Sequence, residues 1–194
     1  MEFEIKDGKG NIKEYNKNGV LDVEGEYLNG ERNGKGKEYD SHNKLVFDGE
    51  YLNGIISGKG KEYYNGKLKY EGEYLNGIKN GKGKEYYENG KLLFEGDYLY
   101  YKKWNGNGYN INGSKEYEIK DGKGNIKEYS YYDGKLEFEG EYLNGERNGK
   151  GKNYYSNGNL EFEGEYLNGR IWKGIGFHID GKKYEINNDK KKDI

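Results

Sequence analysis

Two histidines, 35 acidic side chains and several glycine–lysine strings are the groups from which this chain could build chemistry. The strings Gly54-Ile-Ile-Ser-Gly58-Lys59 and Gly30-Glu-Arg-Asn-Gly34-Lys35 are superficially like a phosphate-binding loop. That loop needs four residues between its glycines, Ser or Thr after the Lys, and a following helix, because backbone N–H groups must converge on the phosphates. Neither string meets these conditions, so both read as turns. A catalytic carboxylate departs from its neighbours by being buried or unpaired. Here nearly all carboxylates recur at equivalent positions facing a lysine. His42 lies beside a turn and His178 near the C-terminal end, each without a constellation for metal or nucleophile work, and there is no Cys to supply a thiolate. The expectation is a chain that is not an enzyme and has no catalytic residue, metal site or cofactor.

The elements that hold these groups are set by repetition. The string E-G-[ED]-Y-L places its glycine at Gly25, Gly49, Gly72, Gly96, Gly140 and Gly164, and Glu118 to Tyr129 repeats Glu4 to Tyr15 letter for letter. About eight units of roughly 22 to 24 residues follow over residues 1–186, the fifth and sixth diverged. Inside a unit the period is two: Leu136, Phe138, Gly140 and Tyr142 share one face, and Glu137, Glu139 and Glu141 the other. Asn89-Gly90, Asp133-Gly134 and Asn157-Gly158 have the composition of two-residue hairpin turns. Folding about Asn157-Gly158 sets Lys152 against Glu163 and Lys150 against Glu165; folding about Asn89-Gly90 sets Gly83 against Gly96. The unit around Asn65-Gly66 is one residue shorter, which calls for a three-residue loop, Asn65 to Lys67, and a Tyr64–Leu68 pair.

Composition agrees with a thin fold. Only 31% of residues are hydrophobic and 16% are aromatic, with 34 Gly and 23 Tyr, so rings must supply most of the buried area. The expected fold is all-β: an elongated, single-layer, twisted antiparallel sheet of tandem hairpins over residues 1–186, with residues 187–194 a charged, disordered tail. A net charge of −2 gives no general attraction to nucleic acid. No apolar run is long enough for a signal peptide or membrane span, and a cytoplasmic location is expected.

Positions that the repeat leaves free are where specificity could be written. The connection L-N-G-x-x-N-G varies at Glu31-Arg32, Ile55-Ile56, Ile78-Lys79, Glu146-Arg147 and Arg170-Ile171. Ile55, Ile56 and Ile78 are therefore candidate partner contacts. Tyr63, Tyr86 and Tyr154 are further candidates, since one Tyr of each doublet must leave the aromatic face.

The stretch Tyr70 to Lys84, Y-E-G-E-Y-L-N-G-I-K-N-G-K-G-K, resembles the MORN repeat (membrane occupation and recognition nexus), and Tyr86 to Leu92 resembles its bacterial variant. The resemblance implies an open, twisted, single-layer antiparallel sheet and leaves the function open. A long repetitive surface without pocket-forming elements is expected to act as a protein-interaction or scaffold module with a protein partner, and uncovered terminal strands call for a homodimer or end-to-end assembly. The resemblance carries two alternatives. One is a phospholipid-binding module, disfavoured because the lysine rows face acids. The other is a toxin-neutralising immunity protein.

Overall fold

The computed structural model describes residues 2–6, 8–188 and 190–193. It divides into two compact units, residues 1–90 with 98–101 and residues 91–97 with 102–194. The strands are β1 (Glu2–Lys6), β2 (Lys9–Tyr15), β3 (Leu21–Leu28), β4 (Glu31–Tyr39), β5 (Leu45–Leu52), β6 (Ile55–Tyr64), β7 (Lys67–Leu75), β8 (Ile78–Tyr86) and β9 (Leu92–Leu99). There follow β10 (Lys102–Tyr109), β11 (Lys115–Ile119), β12 (Gly124–Tyr129), β13 (Leu136–Leu143), β14 (Glu146–Tyr154), β15 (Leu160–Leu167), β16 (Arg170–Phe177), β17 (Lys183–Asn187) and β18 (Lys190–Asp193). They form two antiparallel sheets of hairpin strands, β1–β11 and β12–β18, neither closed into a barrel, and within each sheet every strand lies beside its neighbour in the chain.

The core of each unit is a row of aromatic rings lying over a row of glycines. In the first unit Gly25, Gly36, Gly49, Gly60, Gly72 and Gly83 are successive cross-strand partners. In the second, Gly140, Gly151, Gly164 and Gly174 repeat the arrangement. A ring needs a flat floor, and a strand supplies one only where side chains are missing. Phe47, Tyr70, Phe138 and Phe162 occupy that floor and are buried. Edge-to-face contacts join the rings: Tyr51–Phe47 at 5.8 Å, Phe47–Tyr74 at 5.7 Å, Tyr74–Tyr70 at 5.6 Å and Tyr70–Tyr98 at 5.4 Å. Phe138–Tyr166 at 5.2 Å and Phe162–Tyr166 at 5.6 Å continue the motif in the second unit. Such pairs add about 0.5–1.5 kcal/mol each to the area they bury.

Tyr70 stands where other units have Val23, Phe47, Phe94, Phe138 or Phe162. Its hydroxyl is buried over Gly72 and Gly83 and finds no hydrogen-bond partner among the described residues. An unmet hydroxyl carries its desolvation cost uncompensated. Tyr70→Phe is therefore expected to raise stability by about 1 kcal/mol, measured as a higher denaturation midpoint at unchanged slope; an unchanged or lower midpoint would show that the hydroxyl is satisfied.

The turns correct the expected ones. Two-residue turns fall at Asn29-Gly30, Asn53-Gly54, Asn76-Gly77, Asn144-Gly145 and Asn168-Gly169, where both residues have positive φ. They close the pairs Leu28–Glu31, Leu52–Ile55, Leu75–Ile78, Leu143–Glu146 and Leu167–Arg170. At Asn157-Gly158 only the glycine is left-handed (φ 85°). There the Gly158 N–H donates to the Tyr155 carbonyl and the Tyr155 N–H to the Asn159 carbonyl, a type I turn closed by a glycine bulge. The bulge shifts the register at Asn153/Tyr154, so Tyr154 faces Leu160 while Lys152–Glu163 and Lys150–Glu165 keep the expected pairing. The stretch taken as a long variable connection is thus a tight turn followed by the start of a strand. The short unit is corrected too: Asn65-Gly66 is a two-residue turn (φ 51° and 77°), Tyr64 faces Lys67 and Tyr63 faces Leu68.

The segment expected to be a disordered tail contributes β18, with Lys190 paired to Asn187 and Lys192 to Glu185. The open N–H and C=O groups along β17 are the reason, since an unpaired strand edge accepts any following extended segment. Asp189 and Ile194 lie outside the described residues.

Candidate interaction surfaces

Each unit uses three carboxylates, and the structure gives each a separate task. The first, before the E-G-E glycine, forms an alternating ladder in which Lys13, Glu24, Lys37, Asp48, Lys61, Glu71 and Lys84 are successive cross-strand partners. The contacts include Lys61–Glu71 at 3.7 Å and, in the second unit, Lys152–Glu163 at 3.3 Å. At this exposure each pair contributes roughly 0.2–1 kcal/mol. The same carboxylates accept tyrosine hydroxyls: Tyr39 to Glu24 at 2.7 Å, Tyr86 to Glu71 at 2.6 Å and Tyr154 to Glu139 at 2.6 Å. Burial first and the acceptor carboxylate second push the Tyr39 and Tyr154 hydroxyls up to about 12.

The second carboxylate closes a bulge. Between the glycine row and the tight turn, the returning strand carries two extra residues around Gly58, Gly81 and Gly149, all of positive φ. Backbone N–H groups there donate to it: Lys59 to Glu50 at 2.9 Å, Lys82 to Glu73 at 3.0 Å and Lys150 to Glu141 at 3.3 Å.

The third carboxylate sits under the aromatic face, where its cross-strand partner is Val23, Phe47, Tyr70 or Phe138 rather than the lysine expected opposite nearly every acid. Glu14 accepts from Tyr27 at 2.7 Å, Glu38 from Tyr51 at 3.0 Å, Glu62 from Tyr74 at 2.7 Å, and Glu128 from Tyr142. A cation completes three of these sites. Arg32 reaches Glu38 at 2.5 Å, and Lys79 reaches Glu62 at 2.9 Å while lying 3.9 Å above the Tyr70 ring. Arg147 grips both oxygens of Glu128, at 2.8 and 2.7 Å, with its guanidinium 4.1 Å over Phe138. Burial alone would raise the Glu128 carboxyl, but hydrogen bonds from Arg147 and Tyr142 hold it below the ordinary carboxylate range. These groups are consumed by structure.

His42 is at an exposed turn, its N–H donating to Asp40, and His178 packs against the Tyr184 ring at 4.8 Å. Among the described residues no group of three or more His, Asp or Glu converges to hold a metal ion. The second unit has a groove of about 870 Å³ between its two charged rows, with Gly140, Gly151, Gly164 and Gly174 in its lining. Its walls are already ion-paired, as in Lys173–Glu165 at 3.3 Å.

The residues expected to meet a partner separate. Ile55 is half exposed at the head of β6, next to the Asn53-Gly54 turn. Ile56 faces Tyr51 and is partly covered, its carbonyl accepting from the Gly77 N–H at 2.7 Å. Ile78 is half-buried opposite Leu75. Tyr63 is half-buried opposite Leu68, at the far end of β6 from Ile55, while Tyr86 and Tyr154 bind ladder carboxylates. Ile55 and Ile78 therefore share one edge, and Tyr63 and Tyr86 belong to the opposite one.

That shared edge is a row of tight turns. Backbone bonds tie each turn to its neighbour: Gly54 to the Arg32 carbonyl at 2.8 Å, Gly77 to Ile56 at 2.7 Å, and Tyr101 to Lys79 at 3.0 Å. Along it Leu52, Ile55, Leu75 and Leu99 are exposed. At Tyr100-Tyr101 the asparagine–glycine pair of the other tight turns, aspartate–glycine at Asp121-Gly122, is replaced by two tyrosines with φ 48° and 67°, which remain 65% and 58% exposed. A side chain in this region costs roughly 1–2 kcal/mol per residue. The turn is held by the Tyr101 hydroxyl donating to the Gly77 carbonyl at 2.9 Å and by the Tyr100 N–H donating to Asn80 at 3.4 Å. In the sequence these tyrosines are marked by L-Y-Y at Leu99 to Tyr101, where L-N-G is the rule.

The MORN repeat family matches residues 24–43, 47–67, 70–91 and 138–160, and the MORN repeat variant matches residues 9–29. Together they cover just over half of the chain. No curated protein matches it.

Proposed function

Because the chain belongs to the MORN repeat family, we propose that it is a non-enzymatic protein-interaction module whose contact surface is the tight-turn edge of the first unit. One observation carries this reading: on a chain in which 35% of residues are charged, Leu52, Ile55, Leu75, Leu99, Tyr100 and Tyr101 stay exposed along a single edge. Contiguous exposed apolar surface marks contact sites, and tyrosine is enriched in them. The acids and lysines that might have supported catalysis or a general anion-binding face are instead committed to ladders, bulges and ring caps.

Cross-linking in the source cells followed by mass spectrometry tests this. Cross-links to other proteins are expected beside residues 52–55, 75–79 and 99–102, and the double substitution Ile55→Asp/Leu75→Asp should remove most of them. Cross-links concentrated elsewhere, or unaffected by the substitutions, would sink the proposal.

A further inference from the structure

We infer that the tight-turn edge of the first unit, centred on Tyr100 and Tyr101, is the contact through which two copies of this chain associate about a two-fold axis. The inference rests on the interaction reading above and names its occupant. Backbone strain retained at an exposed position points to function. A turn that the other units close with asparagine or aspartate followed by glycine here keeps two left-handed tyrosines, with most of both side chains in solvent.

Charge selects a second copy. In an isologous contact the same patch lies on both sides of the axis, so a patch of one charge sign would repel itself. The six side chains of this patch are uncharged, and the cations beside it are paired: Lys102, which follows Tyr101, lies 2.8 Å from Glu146, and Lys79 is turned onto Glu62 and the Tyr70 ring. Area points the same way. With about 200 Å² for a large side chain, the exposed parts of Leu52, Ile55, Leu75, Leu99, Tyr100 and Tyr101 sum to roughly 630 Å². Two such patches bury on the order of 1,250 Å², at the lower end of the range of specific interfaces.

Sedimentation velocity over a wide concentration range, on the full chain and on Tyr100→Asn/Tyr101→Gly, tests the inference. The double variant restores the turn that the other units use, so its melting temperature should equal or exceed that of the wild type while its dimer weakens by on the order of a hundredfold or more. Ile55→Lys, which sets like charges across the axis, should do the same without touching the turn. A wild type that is monomeric throughout, or a dimer indifferent to these changes, overturns the inference. So does a monomer that co-sediments with phosphatidylcholine–phosphatidylserine vesicles through the same residues, since the edge would then serve a lipid surface. Loss of heterologous cross-links in Ile55→Asp/Leu75→Asp without any wild-type dimer would leave the interaction module standing and remove only self-association.

Discussion

Alanine at Gly151 is expected to lower the stability of the protein by about 2–4 kcal/mol, through one added methyl group. Gly151 has ordinary extended backbone, so the cost is packing alone. A Cβ there would stand 2.7 Å from Cε2 and 2.9 Å from Cζ of Phe138, and 3.0 Å from Cε2 of Tyr166. Both rings are buried and held in edge-to-face contact, leaving no flexible end to give way. Gly158→Ala is the control: its Cβ meets nothing within 4 Å, and its φ of 85° limits the cost to roughly 1–2 kcal/mol. Chemical denaturation should rank Gly151→Ala as clearly the more damaging. The reverse order would mean that the rings are not seated on the glycine row.

Arg147→Ala is expected to cost about 2–4 kcal/mol at neutral pH, allowing for the partial exposure of the pair. The change removes both hydrogen bonds to Glu128, strips the cover from Phe138, and leaves a carboxylate facing the Tyr142 hydroxyl without its cation. The loss should depend on pH. Glu128 has a folded pKa below its unfolded value of roughly 4.3. Its contribution is therefore fully present above that value and fades as pH falls through the folded one. The gap between wild type and Arg147→Ala should narrow from pH 7 toward pH 3. A gap that is constant over that range would assign the effect to ring cover rather than to the ion pair.

Much of the fold was legible because two signals agree. The period-two alternation in L-E-F-E-G-E-Y-L fixes the faces, and the recurrent glycine fixes the unit, so the glycine-to-glycine and lysine-to-acid pairings follow from counting. The turn types did not, because an Asn-Gly pair serves equally as a two-residue turn and as the end of a type I turn with a bulge. What separates them is a register shift of one residue at Asn153/Tyr154, which the alternation along the strands does not show. The same blindness hid the tasks of the acids. Glu50 caps a bulge that has no signature beyond glycine, and Glu128 meets an arginine 19 residues away across two strands. At the candidate surface, Ile55 and Ile78 were visible as variation in an otherwise fixed string, and their place on the turn edge follows from where the tight turns fall. Ile56 was not separable from Ile55, since alternate residues at a strand's head diverge only once the strand's start is known. Tyr63, Tyr86 and Tyr154 were identified by doubling, and doubling says nothing of the carboxylates that meet Tyr86 and Tyr154.

The glycine rows also have ends. Ile12 faces Gly25 at one end of the first row, and Ile126 and Ile186 bracket the four glycines of the second, facing Gly140 and Gly174. A branched side chain at such a site fills the floor that the next ring would need. The chain thus carries its own stop marks: duplicating a unit between two isoleucines would lengthen the array, whereas one appended beyond them would find its seat taken. Ile119, facing Gly106, does the same, so each place where a glycine row gives way is written as a single isoleucine.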